Sequence, residues 1–131
     1  MYPPQQIDAD SQPFWGHTRR HELRCQRCTA CGRLRFPAAP LCPTCRGADA
    51  EWEALSGRGV LRSWTVTHRI AHPAFAAQVP YTSVLVELAE QEGLLLYGML
   101  SEPGPLVAGA PVEAVFVDGE TESIVRWRLA P

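Results

Sequence analysis

Four of the five cysteines in this 131-residue chain fall within 18 residues, and their spacing restricts the local fold more than any other feature. The cysteines are Cys25, Cys28, Cys31, Cys42 and Cys45. Two Cys-x-x-Cys pairs about ten to twenty residues apart make two tight knuckles whose backbone amides point at the sulfurs, and together they complete a tetrahedron around one metal ion. The first pair can be Cys25/Cys28 or Cys28/Cys31. Gly32 follows Cys31 directly and supplies the φ > 0 that a knuckle needs there, which selects Cys28 and Cys31. Cys42-Pro43-Thr44-Cys45, with Gly47 two residues on, makes the second knuckle. Cys25 is then left on an extended stretch, packing as a small apolar residue.

An odd number of cysteines and an otherwise ordinary core argue against a disulfide framework. Zinc is the expected ion, and an iron site of rubredoxin type is the chemical alternative. With four protein ligands the metal has no open position, so its expected role is structural. Four thiolates and one Zn²⁺ together carry −2, which takes the formal chain charge from −2 to −4.

That small net charge hides a polarity. Residues 19–69 hold ten arginines against four acids, a local +6, while residues 70–131 hold two arginines against eight acids, a local −6. The chain has no lysine. Arginine clusters attract phosphate groups, whether of nucleic acid, a nucleotide or coenzyme A, because the guanidinium fork grips two oxygens at once. Arg27, Arg33 and Arg46 lie next to the knuckles and are expected to serve the thiolates in part. No apolar run approaches the roughly 20 residues that cross a bilayer. Met1 to Pro13 lacks the basic-then-apolar pattern of a secretory signal. The expected location is therefore the cytoplasm, with no membrane partner.

The rest of the chain reads as short elements. Ser11 is placed to cap a helix running through Phe14, Trp15 and His17 to about Arg20. Glu51 to Leu55 reads as extended, and Ser56-Gly57-Arg58-Gly59 as a turn. Val60 to His68 alternates, with Val60, Arg62, Trp64, Val66 and His68 expected on one face and Leu61, Ser63, Thr65 and Thr67 on the other. Thr82 to Leu88 and Gly93 to Leu100 read as a hairpin. Val112 to Val117 and Ile124 to Leu129 are two more strands, joined through Asp118-Gly119. Five strands at this spacing fit a Greek-key barrel of the OB type, although spacing alone also permits an SH3-like barrel or a small open sheet. The expected architecture is mainly β: an N-terminal segment with a short helix (1–21), a rubredoxin-like zinc ribbon (22–54) and a five-stranded OB-fold barrel (55–131).

Residues 69–81 form a 13-residue connection carrying His72-Pro73-Ala74-Phe75 and Val79-Pro80-Tyr81. Long ordered loops in compact domains are disproportionately functional. His68 and His72 have no paired carboxylate or nucleophile motif nearby, so a ligand-contacting or structural role is favoured over acid–base work. Taking a histidine as the base of an independent thioesterase is the weaker option. The sequence contains no Gly-x-Ser-x-Gly, phosphate loop or dinucleotide fingerprint.

The run Phe14-Trp15, Cys28-x-x-Cys31-Gly32, Pro37, Cys42-Pro43-x-Cys45, Glu51-Trp52, Ser56-Gly57-Arg58-Gly59, His72-Pro73-x-Phe75 and Pro80-Tyr81 resembles the zinc-ribbon/OB-fold family first catalogued as domain of unknown function thirty-five. The resemblance extends over about residues 13–128. Where that family commonly carries Pro-Pro-Arg, this chain has Pro37-Ala38-Ala39. The resemblance implies a non-catalytic subunit that binds acyl-CoA and docks a thiolase-superfamily enzyme, such as an aldolase or thiolase acting on CoA thioesters in steroid or fatty-acid side-chain degradation. A MaoC-type hydratase is a further implied partner. On this reading Zn²⁺ is the structural cofactor and a coenzyme A thioester the ligand. Arg58, Arg62, His68, Arg69, His72, Phe75 and Tyr81 are the candidate ligand contacts, and Phe14 and Trp15 the candidate exposed docking residues. Single-stranded nucleic-acid binding is the alternative from another class, and the −6 barrel half argues against it.

Overall fold

The computed structural model describes residues 5 and 7–131. Helix α1 spans Gln12–Arg19 with proline in its first turn. Ser11 sits at the N-cap, but its side chain makes no capping bond. It is held instead in a reciprocal turn: the Ser11 N–H donates to Asp8 Oδ1 at 2.8 Å and the Asp8 N–H donates to Ser11 Oγ at 3.1 Å. The helix stops in a Schellman turn, with Glu22 N–H on His17 O at 3.0 Å and His21 N–H on Thr18 O at 2.8 Å. The left-handed position usually taken by glycine is filled by His21 at φ 59°.

The ribbon sheet follows. Strands β1 (Arg24–Cys28), β2 (Leu34–Arg35) and β3 (Ala50–Ala54) form an antiparallel sheet of order β2-β1-β3. Five antiparallel strands then make the barrel in the order β6-β5-β4-β7-β8: β4 Arg58–Thr67, β5 Tyr81–Leu88, β6 Leu95–Met99, β7 Pro111–Asp118 and β8 Ser123–Leu129. The sheet curls until β6 meets β8, with a parallel bridge from Leu100 to Trp127 and the Ser101 N–H on Trp127 O at 2.7 Å. Gly98 permits that approach. A Cβ at this position would lie 2.7 Å from Trp127 Cδ1 and 3.2 Å from the Val125 carbonyl.

The alternation expected along β4 is overturned. Leu61 pairs with Val86 but Ser63 pairs with Leu85, so Arg62 is an extra residue in a β-bulge. The bulge swaps the faces beyond it: Trp64 lies opposite Val84, and Val66 opposite Thr82, on the side that Leu61 occupies. Strand β4 pairs with β7 only over Arg58–Val60, and Trp64 and Val66 remain exposed.

One core runs through both parts. Leu61, Val84, Val86, Leu88, Leu96, Val112 and Trp127 fill the barrel, and Phe14, Leu23, Cys25 and Leu34 continue the same cluster into the helix and ribbon. Polar bonds reinforce the junction. The Gln91 amide pairs with the Leu34 backbone, accepting from its N–H and donating to its carbonyl at 2.8 Å each. Arg19 donates to the Gly119 carbonyl at 2.7 Å and to Glu122 O at 3.3 Å. His21 stacks on Phe116 with centroids 5.2 Å apart and bonds Asp118 Oδ1 at 2.8 Å.

Candidate metal centre and ligand groove

The thiol sulfurs of Cys28, Cys31, Cys42 and Cys45 all lie within 4.8 Å of one another. Cys28 and Cys45 sulfurs are 3.5 Å apart, and those of Cys31 and Cys42 3.7 Å. A tetrahedral zinc with Zn–S bonds of about 2.3 Å needs sulfurs about 3.8 Å apart, so the donor set fits the ion. The chain shapes the site through its turns. Cys28 O accepts from Gly32 N–H, and Cys42 O from Arg46 N–H, at 2.9 and 2.8 Å. Gly32 has φ 80°, as its place after the first knuckle requires, while in the second knuckle Arg46 takes the left-handed conformation at φ 65°. Gly47 serves a different purpose from a positive φ. A Cβ there would stand 3.3 Å from the Cys45 sulfur and 3.4 Å from the Cys28 sulfur.

Backbone amides lower two of the thiols, while the crowding of the sulfurs raises a third. The amides of Cys45 and Thr44 pull the Cys42 thiol down to about 6, and those of Cys31 and Ala30 lower Cys28. Cys45 is drawn down by the Gly47 amide, but crowding by Cys28, burial and its other sulfur neighbours outweigh this and push it up to about 11. Four adjacent sulfurs cannot all ionise without a cation between them, and Zn²⁺ supplies that charge. When bound it would have all four positions filled by protein ligands, giving structure rather than chemistry. Cys25 is fully buried in β1, and burial pushes its thiol up to about 12, so it behaves as an inert core residue.

Much of the arginine cluster is engaged inside the chain. Arg27, expected in part to serve the thiolates, instead pairs with Glu53 and with the Gly32 carbonyl. Arg24 and Arg20 approach Glu22 at 3.4 and 3.5 Å, and Arg62 approaches Glu87 at 3.7 Å. Arg35 is buried, bonding Gln26 Oε1 and the Ala39 carbonyl at 2.9 Å each.

The candidate ligand contacts divide into two groups. Phe75 and Tyr81 meet at 5.2 Å between centroids. His72 joins them, capping the short 3-10 turn Pro73–Phe75 by accepting the Ala74 N–H on Nδ1 at 3.0 Å, with its ring 6.3 Å from Phe75. Arg58 and Arg62 are exposed along β4, and the strand carries Arg58 about 30 Å from His68 at about 3.3 Å per residue. Arg58 therefore does not join the His72 cluster. Exposed His68 and Arg69 open the connecting loop. The expectation of an exposed Phe14 is also corrected. It is 8% exposed and packs at 5.3 Å on both Trp15 and Phe36, because the helix turns this ring into the shared core. Trp15 is half-buried beside it.

Those aromatics belong to a feature that sequence reasoning did not find. A groove of about 380 Å³ opens where helix, ribbon and barrel meet, lined by Phe14, Trp15, Phe36, Phe75, Leu96 and Tyr97, with Arg126 also in its lining. A second, more polar cavity of about 290 Å³ adjoins it and contains Tyr81, Ser101 and again Arg126. The available signals were weak: a lone charge inside the apolar run Ile124–Trp127, and a tyrosine at an outward position of β6.

Two cysteine knuckles feeding a nearly closed five-stranded barrel define a zinc-ribbon/OB-fold protein. Residues 15–51 match the family model of the ChsH2 rubredoxin-like zinc ribbon domain, and residues 52–117 that of the ChsH2 C-terminal OB-fold domain. The chain belongs to this family, also called DUF35. It is 36% identical over 106 residues to a DUF35 domain-containing scaffold protein of Methanocaldococcus jannaschii, covering 78% of this chain and 73% of that one. It is 34% identical over 120 residues to the 3-oxo-4,17-pregnadiene-20-carboxyl-CoA hydratase alpha subunit of Mycobacterium tuberculosis. That match takes in 90% of this chain but only 37% of the hydratase subunit. Among solved structures it resembles a chain described as the Ltp2-ChsH2(DUF35) aldolase, with TM-score 0.87, 31% identity, and coverage of 98% of this chain and 100% of that one.

Proposed function

We propose that this chain is a non-catalytic accessory subunit of an enzyme complex that processes acyl-CoA thioesters. The observation that carries the reading is the end-to-end likeness to the aldolase-associated ChsH2 chain at 31% identity. The relatives named as a CoA-ester hydratase subunit and as a scaffold protein support it. The docked enzyme would be a thiolase-superfamily aldolase or thiolase, with a MaoC-type hydratase as a further partner. The acyl group would come from a steroid or fatty-acid side chain.

Within such a complex the three parts would divide the work. The zinc ribbon (22–54) and the helical segment before it (1–21) would dock the enzyme, with Trp15 at the contact. The barrel (55–131) would line part of the path of the CoA moiety. His72, Phe75 and Tyr81 would contact the thioester where the 69–81 connection folds over the barrel. His68 and Arg69, just past the end of β4, would attract its phosphates, and Arg62 and Arg58 farther back along the strand would draw the anion in from a distance. No helix among the described residues is long and apolar enough to cross a membrane, and the proposed site of action is the cytoplasm.

Co-expression with a thiolase-like enzyme and measurement of complex formation and acyl-CoA turnover tests the reading. The expected result is a stable complex whose turnover falls when this chain is removed. Failure to associate, with the enzyme fully active alone, contradicts it.

A further inference from the structure

We infer that the free edge of β4 is a strand-docking site: it takes an extended segment of another protein whose apolar residues alternate and whose ends are acidic. The register shows which backbone groups are open. The Leu100 N–H donates to Thr82 O and the Leu88 N–H to Leu94 O, both at 2.9 Å, so Thr82, Val84, Val86 and Leu88 of β5 bond towards β6. Ser83 and Leu85 therefore turn their amides and carbonyls to β4, where they meet Thr65 and Ser63. Trp64 and Val66 alternate with these and face the opposite edge. On that edge β7 pairs only with Arg58–Val60, and the last backbone bonds are Leu61 N–H to Ala110 O and Gly109 N–H to Leu61 O. Past them no strand among the described residues pairs with residues 63–67 on that side.

Soluble proteins ordinarily blunt such an edge with charge or proline, or cover it. Ser63-Trp64-Thr65-Val66-Thr67 contains neither a charge nor a proline, and it is rich in β-branched and aromatic residues. Trp64 and Val66 are exposed, Val66 by 51%, and Ile70 is exposed just beyond them. Strand addition supplies the missing backbone partners, and every second side chain of the incoming segment can pack on Trp64 and Val66. Charge selects the occupant. Residues 54–86 contain no acid, while exposed Arg62, His68 and Arg69 bracket the open edge. Arg62 approaches Glu87 at 3.7 Å, on β5. A second copy of this edge would set those cations against their like, whereas acidic ends on a foreign segment complement them. A CoA phosphate would meet the cations alone and leave the backbone groups between them open. The inference therefore does not rest on the function proposed above.

Amide hydrogen exchange of the zinc-loaded full chain tests it, with and without the peptide acetyl-Asp-Glu-Val-Thr-Val-Thr-Glu-Asp-amide. In the free chain the Trp64 and Val66 amides should exchange freely. The peptide should slow both by about tenfold or more, and CoA alone should slow neither. In an anisotropy titration Trp64→Ala and Arg69→Glu should each weaken the peptide by about tenfold. Val66→Pro removes one outward N–H, which an edge strand tolerates, and should weaken it too. The same peptide with lysine in place of its acids should not bind. Protection of both amides in the free chain at every concentration would place a segment of this chain on the edge and overturn the proposal. Protection that rises with protein concentration would give the edge to a second copy and overturn it as well. So would an affinity unmoved in all three variants, or peptide binding that leaves Trp64 and Val66 unprotected.

Discussion

The ribbon and the barrel share one core but are stabilised by different interactions. The barrel buries Leu61, Val84, Val86, Val112 and Trp127 almost completely, and each such side chain contributes about 1.5–3 kcal/mol. The ribbon sheet has one strand of only two residues, and its buried residues include Cys25, Cys28 and Leu34. A sheet that small does not stand alone. Its order rests on four sulfurs, two knuckles and the seam to the barrel. The groove joins the two regions: Phe36, next after β2, lines it from the ribbon, and Leu96 and Tyr97 line it from the barrel.

That contrast can be broken experimentally, beginning with its strongest element. Cys42→Ser should abolish zinc binding, read by metal content, and unfold the ribbon, because structural zinc contributes about 10–16 kcal/mol of apparent binding energy in small zinc modules. Trp127→Ala should cost about 3–5 kcal/mol in urea unfolding while the purified protein keeps its full zinc content. Loss of metal together with the barrel would show that the two parts are not stabilised separately. Cys25→Ala should cost about 1 kcal/mol, comparable to removing one buried methylene, with metal content unchanged. Metal loss in that variant would mean that Cys25 is a ligand.

The smallest effect concerns the seam. The carboxyl of Asp118 is held below its ordinary value of 3.8, chiefly by Ser123 Oγ at 2.5 Å and then by His21. A depressed carboxylate contributes stability above its unfolded pKa and loses it as the pH falls through the folded one. Asp118→Asn keeps an acceptor for Ser123 but removes the charge facing His21. Its melting temperature should sit slightly below wild type at pH 6, and the gap should close below about pH 3. A gap that persists in acid would assign the effect to packing.

The features legible in the sequence were local ones. Cysteine spacing with Gly32 pointed to the four cysteines whose sulfurs the fold brings together, because a knuckle is determined by a few consecutive residues. The hairpin and the last two strands could be read for the same reason. Arg46 in the left-handed position was not legible, since an arginine carries no sign of the φ that the turn forces on it. The bulge at Arg62 was equally hidden and reversed the faces of Trp64 and Val66. The groove needs Phe14, Phe36, Phe75, Tyr97 and Arg126 from elements spread over more than a hundred residues, and no spacing rule connects them. The burial of Phe14 is not legible either, because helix periodicity alone does not say which neighbour covers a ring.

Backbone hydrogen exchange before and after zinc removal tests the division between ribbon and barrel most directly. The account predicts that amides in residues 24–54 lose protection on chelation, whereas those of β5, β7 and β8 keep theirs. Equal loss across the barrel, or unchanged protection in the ribbon, would contradict it.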